Sequence, residues 1–268
     1  MISFKTSEPN TTGETDAVPG KDVTGCRVID PGGDNLQTQV AVESWDIAHY
    51  FARIHSVITY ALKTSIERSE QYAQAGYPDG RTRKGFISYV RCLSAVLHAH
   101  HVTEDDVAFP YFWEKMPELP VEHLIAQHQQ MDPLLDRIRA DLSQLAKEEE
   151  VSPSLTELGQ ALKEMLTLWQ RHVEDEERHL TTERIDAVID REEQDRIRRK
   201  LVLHSRRLQR RAVPLALLLP FTLYNLSCEE RMDLAPKMAQ IVTRWLIPYI
   251  WRRRWMPMAS FLREPPQI

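Results

Sequence analysis

Apolar positions recur with a helical period along most of the chain. From Val42 to about Ala75 the stripe runs through Trp45, Ile47, Ala48, Phe51, Ile54, Ile58, Ala61 and Leu62. Gly76, Pro78 and Gly80 then supply residues that stop a helix. Phe86, Tyr89, Val90, Leu93, Val96 and Leu97 predict a second helix over Lys84–Lys115, which Pro110 should kink or end. Met116–Pro120 reads as a connection. The third helix, Val121–Lys147, carries Leu124, Ile125, Met131, Leu134, Leu135, Ile138 and Leu142, with a local bend expected at Pro133. Ser152-Pro153 offers a cap and a first-turn proline for a fourth helix. That helix is expected to reach Ile189 through Leu155, Leu158, Leu162, Met165, Leu166, Trp169 and Val173.

Four long helices joined by short loops predict an all-α, up-down-up-down four-helix bundle over residues 41–190. Residues 1–40, rich in Pro, Gly, Thr and Asp, read as a disordered or loosely attached arm. Residues 191–268 read as a helical extension packed on the bundle. It has a charged stretch (Arg191–Arg211), an apolar run (Ala212–Leu226) and a last helix from about Cys228 to Arg253.

Composition adds limits rather than a function. Only 9 glycines and 42% hydrophobic residues fit a helical chain with a packed core. A net charge of −5 gives no reason to expect nucleic acid as a partner. Cys26, Cys92 and Cys228 form no CxxC and imply no disulfide framework. The polar N-terminus lacks the apolar core of a signal peptide, so a cytoplasmic location is expected. Ala212–Leu226 is too short to cross a bilayer and contains Pro214 and Pro220, so no transmembrane segment is expected. Trp245, Tyr249, Trp251 and Trp255 flank Arg252-Arg253-Arg254, a composition that suits contact with a membrane surface.

The chemistry is concentrated in two near copies: His100-His101-Val102-Thr103-Glu104-Asp105 and His172-Val173-Glu174-Asp175-Glu176-Glu177. Each places a carboxylate four residues after a histidine, on one helix face and a turn away. Imidazole and carboxylate on facing helices are how bundles hold iron, manganese or zinc. The ten histidines reach all four bundle helices. With alternating chain direction, His55, His100 with Glu104, His128, and His172 with Glu176 fall at similar depth. Alternatives stand beside them. His49 competes with His55, which continues the inward stripe. His101 with Asp105 competes with His100 and Glu104. Adjacent positions point about 100° apart, so Asp105 and Asp106 are expected to face mostly outward. His98, His179 and His204 read as surface groups.

These residues resemble the hemerythrin-like, or HHE cation-binding, family over about residues 41–190. The second-helix signature is similar to His100–Asp105 followed by Phe109-Pro110. The third resembles Gln127-His128 with Met131-Asp132 and Leu134-Leu135, and the fourth resembles His172–Glu177. The resemblance implies a four-helix bundle around a non-haem di-iron centre. Its metal ligands would be His55, His100, Glu104, His128, His172 and Glu176, with Glu104 and Glu176 bridging. Glu177, five residues after His172, is an alternative to Glu176. The oxygen-carrying members bring two histidines four apart on the third helix. Here Leu124 stands four residues before His128, and His123 would point away. A missing ligand leaves a more open centre, better suited to reacting with or sensing oxygen, peroxide or nitric oxide than to carrying oxygen. An oxidoreductase acting on an organic substrate, and an interaction or membrane-surface protein working through the C-terminal tail, are the alternatives. Structural zinc fits less well, because no cysteines lie at ligand spacing.

Overall fold

Asp46 opens the first bundle helix, α1 (Ile47–Ala75), by accepting the amide N–H of His49 at 2.8 Å. The computed structural model describes residues 46–147, 152–227, 230–231, 247 and 249–265, and among these the regular structure is helical throughout. Gly76 closes α1 at φ 72°, a positive angle that costs glycine little, and its amide donates to the Tyr72 carbonyl. The predicted 1–40 arm lies outside the described residues.

Asp79 caps α2 (Gly80–Thr103), which starts four residues before the expected Lys84. Pro110 does not end this helix. Its ring would strike the carbonyl four residues back and it has no N–H to donate. The chain takes up the conflict in a π turn over Glu104–Ala108, where the Phe109 amide donates to the Glu104 carbonyl, and α3 (Phe109–Lys115) continues beyond it. The third bundle helix, α4 (Val121–Leu145), runs through Pro133. The fourth, α5 (Ser152–His179), ends ten residues short of the expected Ile189. Thr181 accepts the Arg184 amide and starts a separate short helix, α6 (Thr182–Asp186).

Helices α1 and α4 both pack along α5, and α2 packs against α1 and α4, which makes the predicted bundle. The charged stretch after it is helix α7 (Arg191–Ala212), laid across α2 and the π turn. Gln194 anchors it. This buried side chain accepts the Ile47 amide at 3.3 Å and donates to Asp186 at 2.7 Å and to the Ile189 carbonyl at 3.0 Å. The first of these satisfies a donor that the start of α1 leaves without a helical acceptor. The apolar run becomes α8 (Leu215–Tyr224), with Pro220 inside it. Most of the expected Cys228–Arg253 helix lies outside the described residues, which resume as α9 (Arg252–Trp255) and a 3-10 turn over Met256–Phe261.

The extension shares the core of the bundle. Phe221 and Phe261 pack edge-on and tilted against Tyr89 of α2, with ring centroids 5.1 and 5.6 Å away. The Tyr89 hydroxyl donates to buried Asn225 at 3.1 Å. Trp255 is fully buried and donates to the Ile247 carbonyl, and Trp251 is half-buried, so the aromatic tail is partly core. Tyr249 and Ile250 stay exposed beside Arg252, Arg253 and Arg254. No described helix is long and apolar enough to cross a membrane.

Two variants test these supports. Asp46 also accepts the Thr182 hydroxyl at 2.9 Å. Burial pulls its carboxyl up, but the His49 amide and ring and the Thr182 hydroxyl outweigh that and hold it below the usual range. A depressed carboxyl stabilises fully above its unfolded value, about 3.9, and that part is lost as pH falls through the folded value. Asp46→Ala should cost about 1–2 kcal/mol in denaturant titrations at pH 7, with the gap to wild type narrowing toward pH 3, while Asp46→Asn keeps most of the cap. A methyl at Gly85 of α2 would fall on the Pro257 carbonyl. Gly85→Ala should cost about 1–3 kcal/mol and expose the Met256–Phe261 turn to limited proteolysis, leaving α1–α5 helical by circular dichroism.

Candidate metal centre

Six side chains from four helices meet at one level of the bundle: His55 from α1, His100 from α2, Glu104 from the π turn, His128 from α4, and His172 with Glu176 from α5. All are buried, and Glu104, His172 and Glu176 expose nothing to solvent. Their donor atoms form two groups, each able to hold a metal ion: His55, His100, Glu104 and Glu176, and Glu104, His128 and His172. Glu104 belongs to both. Glu176 reaches toward both as well, with Oε2 3.0 Å from His55 Nε2 and 3.7 Å from His172 Nε2. Glu104 places Oε1 3.0 Å from His100 Nδ1 and Oε2 3.3 Å from His128 Nε2.

The helical spacing explains how this happens. His100 and Glu104 are four apart, as are His172 and Glu176, so each pair lies along one face. The antiparallel arrangement of the helices then sets His55 and His128 at the same depth. His49, the alternative to His55, is largely exposed and pairs with Asp46 at the start of α1. His123 is exposed at the surface next to Asp175. Half-buried His98 and His179 also lie outside both groups, and His204 pairs with Asp106 at 3.2 Å, holding α7 on the π turn.

Asp105 departs from expectation. It does not face away: its Oδ1 lies 2.8 Å from His128 Nδ1. Nor is His101 outward, being as buried as His100. The single inward face assumed from periodicity fails because α2 is covered on several sides, by α1, α4, α7 and the C-terminal turn. The choice between Glu176 and Glu177 also dissolves, since Glu177 Oε1 sits 2.8 Å from His55 Nδ1 while Glu176 lies inside.

Asp105, Glu177 and Gln127 thus share a task. Gln127 Oε1 accepts the His172 Nδ1 proton at 3.1 Å, and its amide nitrogen donates to Asp175 at 2.7 Å. Each residue engages the Nδ1 side of one imidazole and turns Nε2 inward, the outer hydrogen bond that metal-binding histidines ordinarily have. Each is a sequence neighbour of a donor residue, which was the available signal for them. Outside Gln127 a groove of about 380 Å³ is lined by His123, Gln130, Arg171, Asp175 and Arg178.

An apolar shell keeps water out. Trp169, fully buried, sets its indole 5.4 Å from His55, 5.5 Å from His100 and 5.8 Å from His172, and donates to Thr59 at 2.8 Å. Phe109 stacks on His128 at 5.6 Å, and Phe51 lies beside His55 and His100. Leu124 is buried in the same apolar cluster as these phenylalanines and brings no donor.

The donors fit a cation. Both oxygens of Glu104, both of Glu176, and Nε2 of His55 are buried without a hydrogen bond of good geometry, although imidazole nitrogens lie 3.0–3.3 Å from the carboxylates. Such groups converge without hydrogen-bond geometry, as lone pairs on a common centre do. Burial first, then the charge of Glu176, raises the Glu104 carboxyl to about 8. Burial alone would lower His55 and His128. Glu176 and Glu177 lift His55 to about 10, and Asp105 and Glu104 lift His128 to about 9. Burial holds His172 down at about 3 and keeps His100 and His101 well below the usual range. The buried carboxylates thus raise the proton affinity of the imidazoles beside them, and a bound cation would compete with those protons.

Comparison with curated proteins gave no match, and comparison with solved structures gave none. A family model does match: residues 48–183, just over half of the chain, fit the hemerythrin HHE cation binding domain. That span contains all six converging donors. The chain belongs to the hemerythrin HHE family, with further helices after the domain.

Proposed function

We propose that this chain is a non-haem di-iron protein that binds, reacts with or senses oxygen, peroxide or nitric oxide, and works in the cytoplasm. One observation carries the metal reading. Two buried carboxylates with four hydrogen-bond-free oxygens stand among four histidines, in two groups that share Glu104. His55, His100, Glu104 and Glu176 would hold one iron, and Glu104, His128 and His172 the other, with Glu104 and Glu176 bridging. Imidazole and carboxylate donors without cysteine suit iron better than structural zinc. When bound, the pair of irons supplies one- and two-electron chemistry toward small oxygen species.

The chain's own residues prepare that chemistry. Glu177 and Asp105 fix the tautomers of His55 and His128 and make them stronger donors. Gln127 fixes His172 through a neutral amide, so its imidazole receives less negative charge. Trp169, Phe51 and Phe109 exclude water. Leu124 brings no donor to the His128 and His172 group. A centre with fewer protein donors than an oxygen carrier's keeps a place for a small ligand, which favours reaction or sensing over oxygen carriage.

A second reading, independent of the first, concerns the tail. Exposed Tyr249 and Ile250 beside Arg252, Arg253 and Arg254 offer an aromatic and basic surface to an anionic bilayer.

Protein from iron-supplied cells should carry about two irons per chain, with near-ultraviolet ligand-to-iron absorption. His100→Ala or His172→Ala should each lose at least half of the iron and most of that band; metal-free wild type, with both variants unchanged, would sink the reading. For the tail, co-sedimentation with phosphatidylserine vesicles should fall severalfold in an Arg252→Glu, Arg253→Glu, Arg254→Glu variant with its iron content retained. Equal sedimentation would remove the membrane reading.

A further inference from the structure

His101 stands within the centre and is used by nothing described so far. It is buried, and both ring nitrogens lack a hydrogen-bond partner among the described residues. Leaving a buried polar group unpaired costs stability, and an apolar side chain of similar size would avoid that cost. Its position is closely defined by rings on three helices. It stacks on His128 with centroids 4.1 Å apart and planes at 16°, and meets His172 edge-on at 5.9 Å. Trp169 lies 6.1 Å away and His100 5.9 Å.

His101 is nevertheless outside both donor groups. Donor atoms of Glu104, His128 and His172 lie within 4.8 Å of one another, and His101 is not among them. Two ligands of one metal stand at most about 4.2 Å apart, twice a typical metal–nitrogen bond. His101 is thus one layer further out, against the His128 and His172 half of the centre, to which Leu124 brings no donor. A neutral imidazole has one N–H to give and one nitrogen to accept. Its missing partner must be small and must carry lone pairs.

Building on the di-iron reading, we propose that His101 donates a hydrogen bond to a small anionic ligand held against the His128 and His172 half of the centre. The residue selects for ligands with an acceptor atom beyond the one that touches the metal.

Azide is the probe, titrated into iron-loaded full-length protein and read by its visible charge-transfer band. The chains compared are wild type, His101→Leu and His101→Gln. The Leu variant should keep its iron and an unfolding midpoint at or above that of wild type, because two unpaired nitrogens are gone. Its azide affinity should fall about tenfold, the loss of one hydrogen bond to an anion, and its band should shift. The Gln variant, which restores an N–H, should return to within about threefold of wild type. Equal azide affinity in all three chains overturns the proposal. Iron loss in the Leu variant with its helical circular dichroism intact also overturns it, because His101 would then be a ligand. Wild-type protein without iron would instead defeat the di-iron reading itself, and the iron assay separates the two failures.

Discussion

Four carboxylate oxygens, those of Glu104 and Glu176, sit in the interior of the bundle with imidazoles of His55, His100, His128 and His172 as their near polar neighbours. Removing a carboxylate from water costs several kcal/mol, which positive charge close by or uptake of a proton offsets. The protein meets the need with imidazoles drawn from α1, α2, α4 and α5, and the carboxylates beside His55 and His128 raise the proton affinity of both. Two cations would meet it more fully. The arrangement of the surrounding helices is legible as a consequence: each bundle helix must present at least one donor at one level, and apolar rings must close the space above and below.

Helix α2 bears the largest share of this. It contributes His100 and His101, passes into the π turn that places Glu104 and Asp105, and continues past Pro110 into α3. A π turn changes the angle between successive side chains, and such turns recur at functional sites. Here Glu104 reaches the interior while its neighbour Asp105 takes the outer nitrogen of His128. The extension secures this segment from outside. Helix α7 holds the π turn through His204 and Asp106, and the C-terminal turn closes on Gly85. Of the helices after the family domain, α7 thus touches the π turn beside the centre, and the C-terminal turn enlarges the core at the other end of α2.

The legible part of the site rested on local spacing. His100 with Glu104 and His172 with Glu176 are four apart, and any helix would bring each pair onto one face. His55 followed from its place in an apolar stripe, and His128 from its depth. The outer residues were harder. Asp105 seemed to point away because one inward face was assumed for α2, and Glu177 seemed a rival to Glu176 when the two engage opposite sides of His55. Gln127 looked like part of a family signature and proves to be the acceptor for His172. The fourth helix was expected to run on to Ile189, but the Thr181 cap starts a new one.

Sequence by itself determined the helical period, the bundle and the two histidine–carboxylate pairs at a spacing of four, because those follow from intervals within single helices and from chain reversal. His49, His101 with Asp105, and Glu177 stayed open as alternatives. It also showed the apolar residue at position 124, since identity needs no coordinates. Tertiary structure decided which nitrogen of each histidine faces inward, because that depends on partners from other helices. It decided that His101 is buried without a partner, because the rings that enclose it come from α4 and α5. Residues far apart in the chain make those contacts, and no local pattern encodes them.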